Sequence, residues 1–309
     1  MARIGGPVAG SRRESPVERG GIDTIVRTMS GLMAFHAHPD DEVIQTGGVL
    51  SKAADAGEHV VVVTATDGAE GEVHNYDDPE AIKPRLAEVR AEEVRASLDV
   101  LGVENHVFLG YRDSGMMGEE SNKHEECFWQ ADFMDATGRL VREIRRHQPD
   151  VLVIYDPYGG YGHPDHINVH RIGLAAYTGC IDLGRFPLEE GEETWEPKKL
   201  YWTTWPRSRV RKMMEARFAA GEITADELAA AEDRGTPDEY ITCWVDVADK
   251  VDVKEKALRA HRSQIPLDWP WLTVPDDQKA ETFGRESFVR VFTRVPAPEV
   301  EDDLFAGLR

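Results

Sequence analysis

Near-continuous apolar runs alternate with amphipathic stretches along the first 180 residues. "LMAFHA" (32–37), "HVVVVTAT" (59–66), "HVFLG" (106–110) and "DVLVIYD" (150–156) read as central strands, because a strand covered on both faces is apolar at successive positions. Between them the spacing predicts helices over 43–56, 80–101 and 132–147, with another starting near Pro164. This alternation predicts an α/β fold, a Rossmann-like and mostly parallel sheet with helices on both faces. Ligands gather at the carboxyl ends of the strands in such sheets. Four polar loops should therefore share one rim: "HPDDE", "DGAEGE", "GYRDSGMMG" and "DPYGGYGHPDH".

Beyond residue 180 the pattern weakens. "KLYWTTW" and "FVRVFTRV" read as strands, 207–232 and 249–263 as helices, and the acidic 221–239 as an exposed excursion. The expected organisation is a disordered arm over 1–30, one catalytic domain over 31–295 with a C-terminal elaboration from about 181, and a tail over 296–309.

Composition narrows the function. A chain of 309 residues with 41% hydrophobic residues has ample length for a buried core. A net charge of −21 argues against binding nucleic acid or an anionic membrane. No apolar run approaches a membrane span, and the first thirty residues lack the apolar stretch of a signal peptide. A start at Met29 or Met33 would leave that arm out. Cys127, Cys180 and Cys243 form no CxxC pair, which fits a reducing compartment and argues against a thiolate zinc site. The expectation is a cytoplasmic protein acting on a small molecule.

The candidate chemistry lies in the first and fourth loops. Adjacent carboxylates repel and are costly to desolvate unless positive charge sits among them, so Asp40, Asp41 and Glu42 at a strand end call for a cation. His38 and Asp41 flank a tight Pro39-Asp40 turn and can reach one point, and Pro164 suits a first helical turn that holds His163 and His166 at the same rim. Two histidines and a carboxylate make a zinc set with an open position for water. We read His38, Asp41 and His166 as ligands, Asp40 as general base, and His163 as an electrophile or acid. Iron suits the same donors. Taken alone, "HPDD" is equally an N-cap with an acidic first turn; both motifs at strand ends favour the metal site.

"AHPDDE" and "GGYGHPDH" resemble the LmbE-like family of PIG-L-type de-N-acetylases over roughly residues 32–180. The resemblance implies a zinc hydrolase that removes N-acyl groups from glucosamine-type sugars. It implies the same ligands and base, and gives His163 the tetrahedral intermediate. "DGAEGE", "RDSGM" and "GGYGHPDH" are most similar to two mycothiol-pathway branches. One deacetylates N-acetylglucosaminyl-inositol and the other cleaves the amide of mycothiol S-conjugates. "YRDSGMMG" is nearer the former. "RFPLEEGEETWEPKKLYW" and "DDLFAGLR" are nearer the latter, although Gln45 stands where that branch is expected to carry lysine.

Arg90, on the inner face of its helix, is expected either to pair with a buried acid or to meet the substrate. Asp113 is expected to pair with it or to hold a sugar hydroxyl. Tyr161, in a glycine-rich loop, is expected to reach the oxyanion. These three form the expected substrate-binding set. His170, His36 and His261 are expected to be packing or pocket-lining residues. As an oxyanion donor, His163 would be cationic and would produce a high-pH limb in kcat/KM. The rival class is a non-catalytic sugar- or metal-binding protein on the same fold, which a missing base or a missing His163 would indicate; both residues are present.

Overall fold

A computed structural model describes residues 30–309. Most of the expected arm over 1–30 lies outside the described residues. Seven strands form one sheet: β1 (Gly31–His36), β2 (His59–Thr66), β3 (Asn105–Tyr111), β4 (Val151–Tyr155), β5 (Lys199–Thr204), β6 (Cys243–Asp246) and β7 (Arg285–Thr293). Their order is β3-β2-β1-β4-β5-β7-β6. The first five pair in parallel, and β7 runs antiparallel to both β5 and β6.

The helices are α1 (Asp41–Asp55), α2 (Pro79–Ile82), α3 (Leu86–Leu101), α4 (Phe133–His147), α5 (Pro164–Gly179), α6 (Arg207–Ala219), α7 (Ala225–Ala230), α8 (Val251–Ala260), α9 (Pro270–Thr273) and α10 (Asp276–Phe283). Alternate strand residues pack to opposite sides. Leu32, Ala34, Val60, Val62 and Val153 meet Val49, Leu50, Leu98 and Leu258 of α1, α3 and α8. Met33, Phe35, Val61, Val63 and Ile154 meet Leu140, Ile144, Val169 and Ile172 of α4 and α5. Strands so covered are near-continuously apolar. The chain runs outward from β1 to β3 and then returns to β4, so the switch point lies between β1 and β4. The loops after these two strands carry "HPDD" and "HPDH".

Four expectations are corrected. "HVFLG", expected as a central strand, lies in β3 at the edge of the sheet, where only Leu109 is buried. The helix over 80–101 is interrupted at Lys83–Arg85, where Pro84 has no N–H to donate. The helix over 207–232 is two, separated at Gly221, whose φ is 75°. Residues 296–309 are no free tail. Leu304 and Phe305 join the core, and Glu301 is buried, pairing with Lys199 and accepting a hydrogen bond from the Tyr201 hydroxyl at 2.6 Å. Glu301 also exchanges backbone hydrogen bonds with Thr242 and Trp244, covering the β6 edge.

Candidate metal centre and active site

His38 Nδ1, Asp41 Oδ2 and His166 Nε2 form a triangle with every side 3.3 Å. Each ring is fixed through its other nitrogen. His38 Nε2 meets Asp165 Oδ2 at 3.2 Å, and His166 Nδ1 donates to the Gly159 carbonyl at 3.1 Å. With those nitrogens as donors, two lone pairs and a carboxylate oxygen face one point, an arrangement that repels itself unless a cation sits there. Tetrahedral bonds of about 2.0–2.1 Å put ligand atoms about 3.3–3.4 Å apart, so the triangle fits one face of such a site. Without a metal, His38 is held well above its ordinary pKa, against its burial, by Asp113, Asp165 and Asp41. A metal would displace that proton.

His38, Asp113, His163 and Asp165 form a second group of the same compactness. Its carboxylates are already taken. Asp165 accepts hydrogen bonds from the Ser114 N–H at 2.9 Å and from the Ser114 hydroxyl, and Asp113 accepts from Gly115 and Glu70 N–H at 2.9 and 3.2 Å. The triangle is therefore the group whose donors are left open for a metal, while Asp113 and Asp165 of the second group orient His38.

Asp40 caps α1 at φ 126°, outside the regions an L residue ordinarily occupies. Burial raises its carboxyl to about 6, against the lowering pull of Arg90, whose Nη2 lies 3.1 Å from Oδ2. Arg90 also donates to the Gly68 and Pro39 carbonyls, and Gly68 must be glycine because a Cβ would run into the guanidinium. Of the two expectations for Arg90, the structure shows the pairing with an acid, the half-buried Asp40. Asp113 is likewise turned inward, 3.5 Å from His38 Nε2.

Of the expected substrate-binding set, Tyr161 alone stands exposed on the rim, at 54%, with its hydroxyl 3.5 Å from His166 Nε2. Gly159, at φ 64°, lets its loop pass over His166; a Cβ there would lie 2.7 Å from the His166 carbonyl carbon. His163 caps α5 and its Nδ1 accepts the Asp165 N–H at 3.2 Å, leaving Nε2 to carry the proton. Burial, with His38 and His166 nearby, lowers its pKa to about 3. His163 is thus held neutral, in place of the expected cationic form.

His36 lies beneath the site, bonded to the Tyr155 hydroxyl and Thr46 Oγ1 at 2.9 Å each, and burial lowers its pKa to about 4. His170 turns away, its Nδ1 3.0 Å from the Tyr155 carbonyl. A cavity of about 620 Å³, lined by Thr66, Ala87, Phe108, Tyr111 and Arg139, has no triangle residue in its wall.

Residues 33–177 match the family described as PIG-L, GlcNAc-PI de-N-acetylase. The 1D-myo-inositol 2-acetamido-2-deoxy-alpha-D-glucopyranoside deacetylase of Thermobispora bispora is 39% identical over 305 residues, covering 90% of this chain and 98% of its own length. The like-named protein of Nocardiopsis dassonvillei is 39% identical, covering 89% of this chain and 100% of its own. The chain belongs to the PIG-L family. N,N'-diacetylchitobiose deacetylase from Pyrococcus horikoshii shares the fold at TM-score 0.59 and 23% identity, covering 85% of this chain and 84% of its own. So does 4-carboxy-2-hydroxymuconate hydratase from Pseudomonas putida, at TM-score 0.55 and 19% identity, covering 87% and 99%. The fold alone therefore does not specify the reaction.

The PIG-L match ends before His261, which sequence reasoning passed over as structural. His261 is fully buried and donates from Nε2 to Glu42 Oε1 at 2.7 Å. Tyr155, whose ring stacks on His166 with centroids 4.6 Å apart, was also missed. An apolar strand end gives no signal for it. Glu42 was visible as the third acid of "PDDE", but its partner was not.

Proposed function

We propose that, within the N-deacetylation of GlcNAc-type sugars that characterises the PIG-L family, this chain deacetylates N-acetylglucosaminyl-inositol and uses zinc at the His38–Asp41–His166 triangle. The observation that carries the substrate is the 39% identity, across 90% of the chain, to the Thermobispora bispora protein named for that reaction. Two imidazoles and one carboxylate support zinc, with iron as the alternative for the same donors.

A divalent cation held there supplies Lewis acidity toward the amide carbonyl and acidifies the attacking water. Asp40, beside the triangle and poised near pH 6, takes the proton as water adds to the carbonyl carbon. His163 donates its Nε2–H to the oxygen that gains charge, as a neutral ring can. Asp40 returns the proton to the sugar nitrogen as the C–N bond breaks, releasing acetate and the free amine. Tyr161 at the rim offers its hydroxyl to the same oxygen. The buried, unbridged Cys127, Cys180 and Cys243 support a reducing, cytoplasmic setting.

Zinc-loaded protein is assayed in parallel on N-acetylglucosaminyl-inositol and a mycothiol S-conjugate. Acetate release from the first, with little cleavage of the second, is the expected result. Preferential cleavage of the S-conjugate overturns the substrate reading.

A further inference from the structure

Asp40 has an unusual backbone for a residue asked to move a proton. It is one of three non-glycine residues with positive φ among the described residues, and a conformation of that kind persists only where its surroundings over-determine it. One restraint is its own N–H, which donates to Glu42 Oε2 at 2.9 Å. Glu42 is fully buried, so its carboxylate must be satisfied within the protein. Its other oxygen accepts from Ser97 Oγ at 2.8 Å and from His261 Nε2 at 2.7 Å.

His261 belongs to the C-terminal third of the chain, at the end of α8, where its N–H bonds to the Leu258 carbonyl at 3.0 Å. Its carbonyl accepts from Gln264 and Ile265 N–H at 3.0 and 2.9 Å. The ring is thus set on a closed backbone turn, and its Nδ1 has no hydrogen-bond partner. Its single hydrogen bond is spent on the carboxylate that holds Asp40.

We propose that His261 is a positioning residue for the base, acting through Glu42 on the Asp40 backbone. A carboxylate pinned at Oε1 by two donors presents Oε2 in one orientation. The Asp40 N–H meets that acceptor in the φ 126° conformation, in which the side chain meets Arg90 beside the triangle. Removing the His261 donor frees Glu42 to rotate and leaves Asp40 a choice of conformers, most of them unproductive. The inference rests on Asp40 being the base.

The test uses zinc-loaded full-length protein with N-acetylglucosaminyl-inositol, comparing His261→Leu with His261→Gln, which keeps an N–H donor near the Nε2 position. His261→Leu is expected to lower kcat roughly ten- to a hundredfold, the scale of one hydrogen bond to a charged group, with KM and metal content unchanged. His261→Gln should recover most of that loss. In an Asp40→Asn background the effect of His261→Leu should shrink to within about twofold, because the group being positioned is gone.

Wild-type kcat in His261→Leu, equal losses in Leu and Gln, an undiminished effect in the Asp40→Asn background, or a loss that follows loss of zinc each overturns the proposal. Should His261→Leu not fold, Ser97→Ala removes the other donor to the same oxygen. It should lower kcat severalfold at unchanged KM, and wild-type kcat there overturns the proposal. Wild-type turnover in Asp40→Asn instead overturns the assignment of the base.

Discussion

Arg90 holds Asp40 from inside the domain: its Nη2 lies 3.1 Å from Asp40 Oδ2, and the arginine side chain is 3% exposed. Burial raises the Asp40 carboxyl to about 6 and the guanidinium opposes that rise. Removing the guanidinium removes a lowering influence. The acid limb of kcat/KM in Arg90→Met should therefore lie at higher pH than in the wild type. A pH–rate profile checks this, and an acid limb that stays or moves down refutes the pairing as a control on the base.

The triangle should hold one metal per chain. His166→Ala removes one of its three donors and should lose stoichiometric zinc, read by metal analysis after extensive dialysis. Metal content equal to that of the wild type would place the ion elsewhere.

Asp40 touches Arg90 and the Glu42 carboxylate, and is absent from both compact metal-ligating groups. Asp40→Asn should keep its zinc and lose at least roughly a hundredfold in turnover, the scale for a general base. Loss of metal with normal residual turnover would exchange the roles of Asp40 and Asp41.

Burial lowers the His163 pKa to about 3, and the Asp165 N–H occupies its Nδ1, so the ring is expected to be neutral at the working pH. It does not titrate where a high-pH limb of kcat/KM would lie. His163→Ala should retain zinc and lose roughly a hundred- to a thousandfold in kcat, the range for one oxyanion donor. Any high-pH limb should keep its position. A limb that vanishes with the ring would restore the cationic role.

Lys199 and Glu301 form an ion pair with both side chains fully buried, and Glu301 also meets Arg290 at 2.9 Å. Glu301→Ala leaves the buried Lys199 without its anion and should destabilise the protein by about 3–5 kcal/mol. Urea unfolding measures it; a loss under about 1 kcal/mol would mean that the C-terminal segment is only loosely held.

Local pattern determined the architecture. Doubly covered strands read as apolar runs, so β1, β2 and β4 declared themselves; β3 gave the same run from the sheet edge, and β5 and β7 a weaker pattern. The α/β alternation set the rim on which their loops meet. Short spacing also made the centre legible: His38 and Asp41 are three residues apart, as are His163 and His166, and each pair is carried by one turn. Those separations are local, so each candidate pair could be read without the fold. The partners of the two acids flanking Asp41 could not. Asp40 goes to Arg90, 50 residues on, and Glu42 goes to His261, 219 residues on. Whether Arg90 met a substrate or an acid, and whether residues 296–309 hung free or closed over Lys199, was likewise decided only in three dimensions. A buried charge takes as its partner whatever the packed helices bring beside it, and no periodicity along the chain encodes contacts between residues so far apart.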